Sequence, residues 1–224
     1  MFAKTTFAFL DELATHNRRD WFEANKARYE ALVREPALDF IAAMAPELAR
    51  FAPHFRADPR KLGGSLMRVY RDTRFARDKK PYKTNVGIQF RHELGKDVHA
   101  PGFYVHLASD ECFLGVGCWH PESDALGRIR DLIGAQPQRW CAVRDDRKFS
   151  TAWSLEGDSL ARPPRGYAAD HPAIGDIKRK DFIGLAPLSR QETLGPGLVK
   201  LAAKQFAAAA PFMAFLCEAV GVQY

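Results

Sequence analysis

The hydrophobic period of this chain changes after its first third, and that change limits the possible folds more than any other feature. From residue 5 to residue 51 apolar side chains recur at helical spacing. Phe7, Leu10, Leu13 and Ala14 make one stripe, Trp21, Phe22, Tyr29, Leu32 and Val33 a second, and Leu38, Ile41, Met44 and Leu48 a third. Asn17 stands at an N-cap position with Asp20 in the first turn behind it, and Pro36 stands where a further helix can begin. After Gly63 and Gly64 the period becomes two. "SLMRVYR" (65–71), "VGIQFR" (86–91), "GFYVHL" (102–107) and "CFLGVGCW" (112–119) each alternate, and the last three are joined by links short enough for antiparallel neighbours.

Side chains alternate across a strand, so this pattern sorts the residues onto two faces. One face is expected to pack: Met67, Val69, Val86, Ile88, Phe90, Phe103, Val105, Leu107, Cys112, Leu114, Val116 and Cys118. The other carries Arg68, Tyr70, Gly87, Gln89, Arg91, Tyr104, His106, Phe113, Gly115, Gly117 and Trp119. Its cations, aromatics and glycines fit a ligand platform, with Gly115 and Gly117 clearing space at the backbone; a face covered by a helix satisfies the same pattern.

Beyond residue 120, "ESDALGRIRDLI" and "PQRWCAVRDD" read as helices and "FSTAWSLEG" as a strand. The loop "RPPRGYAADHP" follows, then the strand "FIGLAPLS" and a helix from about Leu198 that bends or restarts at Pro211. Helices, then a meander, then mixed elements give an α+β fold: an antiparallel β-meander of four or more strands packed against N-terminal and C-terminal helices. At 224 residues and 46% hydrophobic content the chain is read as a single domain, 1–224.

The formal charge of +6 is not spread evenly. Residues 68–85, "RVYRDTRFARDKKPYKTN", hold seven basic side chains and two acids, with Tyr70, Phe75 and Tyr82 among them. Arginine forks and mobile lysines suit an oxyanion-rich ligand. The four cysteines, Cys112, Cys118, Cys141 and Cys217, form no C-x-x-C pair, which fits buried free thiols in a reducing cytoplasm. The longest apolar run, at 206–217, falls short of a bilayer span, so no membrane association is expected.

No H-E-x-x-H, nucleophile elbow, P-loop or complete G-x-G-x-x-G is present, and neither a metal nor a cofactor is expected; the even spacing of His92, His99 and His106 crosses a turn and is read as coincidence. The expected site is a pocket for an anionic, phosphate-bearing small molecule lined by Arg68, Arg71, Arg74, Lys83, Tyr104, His106 and Arg165. Arg165 comes from the proline-stiffened loop at 162–172, expected to fold over Tyr104 and His106. If the protein is an enzyme, His106 and His171 are the candidate acids or bases, and the chemistry is metal-independent acyl or phosphoryl transfer. A nucleic-acid binder using the basic loop and exposed aromatics is the alternative, and a structural or interaction protein without a ligand a third.

"NRRDWFEANKARY" (17–29), the basic stretch, the "GFYVHL" strand and "RPPRGYAADHP" together resemble a bacterial and fungal family catalogued as domain of unknown function 2461. That family usually carries serine where this chain has Ala76 and threonine where it has Lys80, so hydroxyl chemistry at those positions is not expected here. The resemblance implies no particular activity, substrate or cofactor.

Overall fold

Helix α1 (Lys4–Thr15) is followed by two short helices, α2 (Arg19–Ala24) and α3 (Lys26–Tyr29), and α3 runs through a π-helical turn at Glu30–Arg34 directly into α4 (Glu35–Phe51). The computed structural model describes residues 1–75, 77–95 and 101–224, so Ala76 and His99 lie outside the described residues. The helix expected to begin at Pro36 is α4, although it continues the π turn without a break. The proline occupies the first turn of α4, and the wider π turn lies where its ring would otherwise meet the carbonyl four residues back. Asn17 does not cap α2, whose N-cap is Arg18. Its amide instead clasps the backbone of Tyr82: Nδ2 donates to the Tyr82 carbonyl at 2.9 Å, and the Tyr82 N–H donates to Oδ1 at 3.0 Å.

The sheet has six antiparallel strands: β1 (Phe55–Arg56), β2 (Asn85–His92), β3 (Gly102–Ala108), β4 (Cys112–Cys118), β5 (Ser154–Glu156) and β6 (Phe182–Pro187), in the order β1-β2-β3-β4-β6-β5. The fold is therefore α+β. Segment 65–71 is not a regular strand. It meets β2 and its approach at two isolated bridges, Leu66 with Ile88 and Tyr70 with Tyr82, so residues 67–69 face 83–87 and the ladder is broken between them. The bridges themselves set the faces: Leu66 and Tyr70 stand opposite the buried Ile88 and Tyr82, so Met67, expected in the core, lies on the other face beside Gly87, while the half-exposed Tyr70 meets Phe22 and Tyr82.

The rest of the packed face is as alternation predicts, with Val86, Ile88, Phe90, Phe103, Val105, Leu107, Leu114 and Val116 all buried. Helix α4 and two C-terminal helices, α9 (Gly197–Ala208) and α10 (Ala210–Val220), lie on it. Phe40 and Phe206 meet Phe90, and Phe206 stands 4.9 Å from Phe103. Helices α9 and α10 bend by 57° at the break before Pro211, as the sequence predicts. Helices α5 (Ser123–Ala135) and α6 (Pro137–Arg144) match their sequence patterns. The expected strand at 149–157 begins as helix α7 (Arg147–Ser150), because the Asp146 side chain caps the N–H groups of Lys148 and Phe149; only Ser154–Glu156 pairs with β6. A short α8 (Ile174–Ile177) precedes β6. All four cysteines are free thiols, and no single helix among the described residues is long and apolar enough to cross a membrane.

Candidate functional site

Strand register builds the outer face of the sheet row by row. Gly87, His106 and Phe113 stand side by side, then Gln89, Tyr104, Gly115 and Leu185, then Gly117 and Ile183. Glycine at 115 and 117 between larger neighbours hollows this face into a trough of about 350 Å³. Met67 and Trp119 complete its sides, and among the described residues no helix contributes to the lining. The walls are mostly apolar, and the polar side chains among them are few: Gln89, Tyr104 and His106, with the indole of Trp119 at the far end.

The first three are coupled to their surroundings. The Tyr104 hydroxyl lies 3.1 Å from His106 Nδ1, and Asn85 Nδ2 approaches the same nitrogen at 3.5 Å. A hydroxyl that donates to Nδ1 leaves the ring proton on Nε2, 3.9 Å from a Glu111 carboxylate oxygen. The His106 ring lies parallel to Phe113 at 4.6 Å. Gly87 makes room for this group, since a Cβ there would stand 2.9 Å from the Tyr104 hydroxyl and 3.0 Å from the Met67 sulfur. Burial pushes the Tyr104 phenol up to about 12 and lowers the His106 imidazole below its ordinary value, so both are neutral at pH 7. A smaller polar cavity of about 170 Å³ adjoins at Gln89, where Arg56 and Arg91 face Asp58 and Glu93.

Among its described residues, no side chain of the basic segment lines the trough, although its last residue, Asn85, approaches His106. Arg71 pairs with Asp78 at 2.8 Å and Arg74 with Asp72 at 2.6 Å, which holds the Asp72 carboxyl far below the usual range. Lys79 donates to the Thr73 carbonyl. Lys83 differs. It is half-buried, two residues before Asn85, and no carboxylate pairs with it among the described residues; burial and then the charge of Arg68 push its ammonium pKa down. Of the interleaved aromatics, Tyr82 is buried beneath Phe22 at 4.0 Å, and Phe75 is 94% exposed.

The proline-stiffened loop does not fold over Tyr104 and His106. It docks on α5, where partners are ready: Tyr167 donates to Asp131 at 2.6 Å, His171 Nε2 meets the Gly134 carbonyl at 3.2 Å, and His171 Nδ1 accepts the Ala173 N–H. Both nitrogens of His171 are thus engaged, and Arg165 is exposed on this loop without reaching the trough.

A pair that the sequence did not single out stands beyond Trp119. His120 has φ of +47°, its N–H donates to Asp181 Oδ1 at 2.7 Å, and its Nδ1 lies 3.1 Å from the same oxygen. The other Asp181 oxygen accepts the Asp158 N–H. Asp181 is buried and the His120 ring half exposed against Trp119. The two are 61 residues apart, in no recognised motif, and meet because β4 pairs with β6.

No curated protein and no solved structure matches the chain. A family model described as a conserved hypothetical protein, DUF2461, matches residues 5–215, which takes in the helical layer, the whole sheet and most of α10. The chain belongs to the DUF2461 family.

Proposed function

We propose that this protein binds a small molecule whose flat, apolar body lies in the trough above Gly115 and whose hydrogen-bonding atoms meet Tyr104, Gln89 and His106. The observation that carries this reading is one sheet face that, among the described residues, is hollow and has no helix in its lining, while the other is packed under α4, α9 and α10. Its size and its mixture of apolar wall with a few converging polar groups are those of a small-ligand site. An anionic group on the ligand, a phosphate in the reading we favour, extends past Asn85 to Lys83 and Arg68, where a half-buried ammonium faces a like charge and gains from a counter-ion. At that end the Tyr104 hydroxyl donates to His106 Nδ1, which leaves the His106 Nε2–H as a donor toward the ligand's anionic group. Pairing of Arg71 and Arg74 with Asp78 and Asp72 weighs against an extended nucleic-acid surface.

Titration with 4-nitrophenyl phosphate, followed by quenching of Trp119 fluorescence, tests the reading. Binding is expected, with 4-nitrophenol weaker and inorganic phosphate weaker still. Gly115→Val, which fills the trough floor, should abolish it. Equal binding by Gly115→Val sinks the proposal.

A further inference from the structure

We propose that His120 and Asp181 form a general-base dyad at the Trp119 end of the trough, and that it hydrolyses an acyl ester whose flat part lies in the trough. This rests on the trough being a ligand site, and it places the chemistry at a different end from Tyr104 and His106. With strands rising about 3.4 Å per residue, Trp119 lies roughly 20 Å from Phe113 along β4 and its continuation.

Three observations point to this role. First, a buried carboxylate on His120 Nδ1 at 3.1 Å fixes the proton on that nitrogen and leaves the Nε2 lone pair outward on a ring that is 53% exposed. Second, Asp181 is held by two backbone N–H groups, from His120 and Asp158, and among the described residues His120 is its ion-pair partner. It is therefore set to stabilise an imidazolium as one forms. Third, His120 has a left-handed backbone, sparsely populated by residues other than glycine, and its ring packs at 4.5 Å on Trp119, which itself lines the trough. The base therefore stands beside Trp119, the residue at this end of the trough.

Among the described residues no serine, threonine or cysteine bonds to His120, so the nucleophile is water. Nε2 takes a proton from water as its oxygen attacks the ester carbonyl carbon, and the carbonyl π pair moves onto the carbonyl oxygen. As the tetrahedral species collapses, the bond from carbon to the leaving oxygen breaks and the imidazolium returns its proton to that oxygen. Ester and water become acid and alcohol, with no change of oxidation state and His120 restored.

The test uses 4-nitrophenyl acetate as substrate and 4-nitrophenol as a binding probe read by Trp119 quenching. His120→Asn is the main variant, because its ring is exposed and asparagine accepts a left-handed backbone; it retains the other six histidines. Hydrolysis by the wild type should saturate and fall about a hundredfold in His120→Asn, with 4-nitrophenol binding unchanged. Asp181→Asn should fall similarly if it folds, and the His120 variant decides if it does not. Unchanged hydrolysis in His120→Asn overturns the dyad. So does 4-nitrophenol binding without hydrolysis by the wild type, which leaves the trough reading standing. No binding of 4-nitrophenol at all overturns the trough reading and the dyad's role with it.

Discussion

The two faces of one sheet are built to opposite rules. On the inner face large apolar side chains, with Gly184 and Ala186 among them, pack against α4, α9 and α10; on the outer face the same strands carry glycine, glutamine, tyrosine and histidine, and among the described residues no helix lines the trough above them. Phe103 and Tyr104 are neighbours in sequence and point to opposite sides. Phe103 touches Phe51, Phe55 and Phe206 with none of its surface exposed, whereas Tyr104 ends in a hydroxyl bonded to His106. The first residue holds the fold together and the second holds a polar group in place. Substitutions on the inner face should therefore appear as lost stability, and those on the outer face as lost binding.

The largest expected effect is on the inner face. Phe103→Ala should cost about 3–5 kcal/mol in urea denaturation, the usual range for emptying an aromatic site in a core. Tyr104→Phe should cost about 0.5–1.5 kcal/mol, the net worth of one hydrogen bond, while weakening ligand binding. Equal losses from the two would erase the distinction between the faces.

Two glycines sharpen it within the trough. Gly117 has φ of +109°, and a Cβ there would stand 2.0 Å from the Phe182 carbonyl oxygen, so Gly117→Ala should cost about 1–3 kcal/mol through backbone strain alone. Gly115 has no such constraint, and its added Cβ would meet the Tyr104 Cβ at 3.3 Å, a contact that asks for a small adjustment. Thermal melts should separate the two alanine variants clearly. A Gly115→Ala melt as low as that of Gly117→Ala would mean that the trough floor is structural.

The pH response follows from His106. Its folded pKa lies below that of an unfolded histidine, near 6.5, so as pH falls the unfolded chain takes up this proton first. Stability from a neutral His106 is present above that value and is lost as pH drops through 6.5 towards the folded pKa. His106→Asn should narrow its melting-temperature gap from the wild type between pH 8 and pH 5. A gap that widens on acidification would mean that Glu111 keeps the ring charged in the fold.

Periodicity made the helical layers, the meander and nearly all of the inner face legible from sequence, because burial on one side of a strand leaves a strict alternation. It failed where spacing is broken locally. Met67 and Tyr70 take the opposite sides because segment 65–71 pairs Leu66 with Ile88 and Tyr70 with Tyr82, and Phe149 enters a helix because Asp146 caps it. Asn17 reads as a helix cap because a cap and a long-range backbone clasp call for the same residue type. The trough-facing Tyr104 and His106 are legible by parity, but the docking of Tyr167 and His171 on α5 and the meeting of His120 with Asp181 depend on tertiary contacts that leave no local pattern.

The smallest effects on stability should come from the basic segment, where charge count and function part company. Lys79 reaches a loop carbonyl in an exposed turn, so Lys79→Ala should change neither melting temperature nor 4-nitrophenyl phosphate binding. Arg71→Ala removes a pair whose Asp78 partner is well exposed, and its effect on stability should be slight. Lys83 is the exception in the opposite direction. Its ammonium is desolvated beside Arg68 with no carboxylate among the described residues to offset it, so an uncharged side chain of similar length relieves repulsion and burial cost together. Lys83→Met should hold or slightly raise the melting temperature while weakening 4-nitrophenyl phosphate by about tenfold, the loss of one charge-assisted hydrogen bond. A lower melting temperature with unchanged affinity would make Lys83 a structural residue and detach the basic segment from the trough.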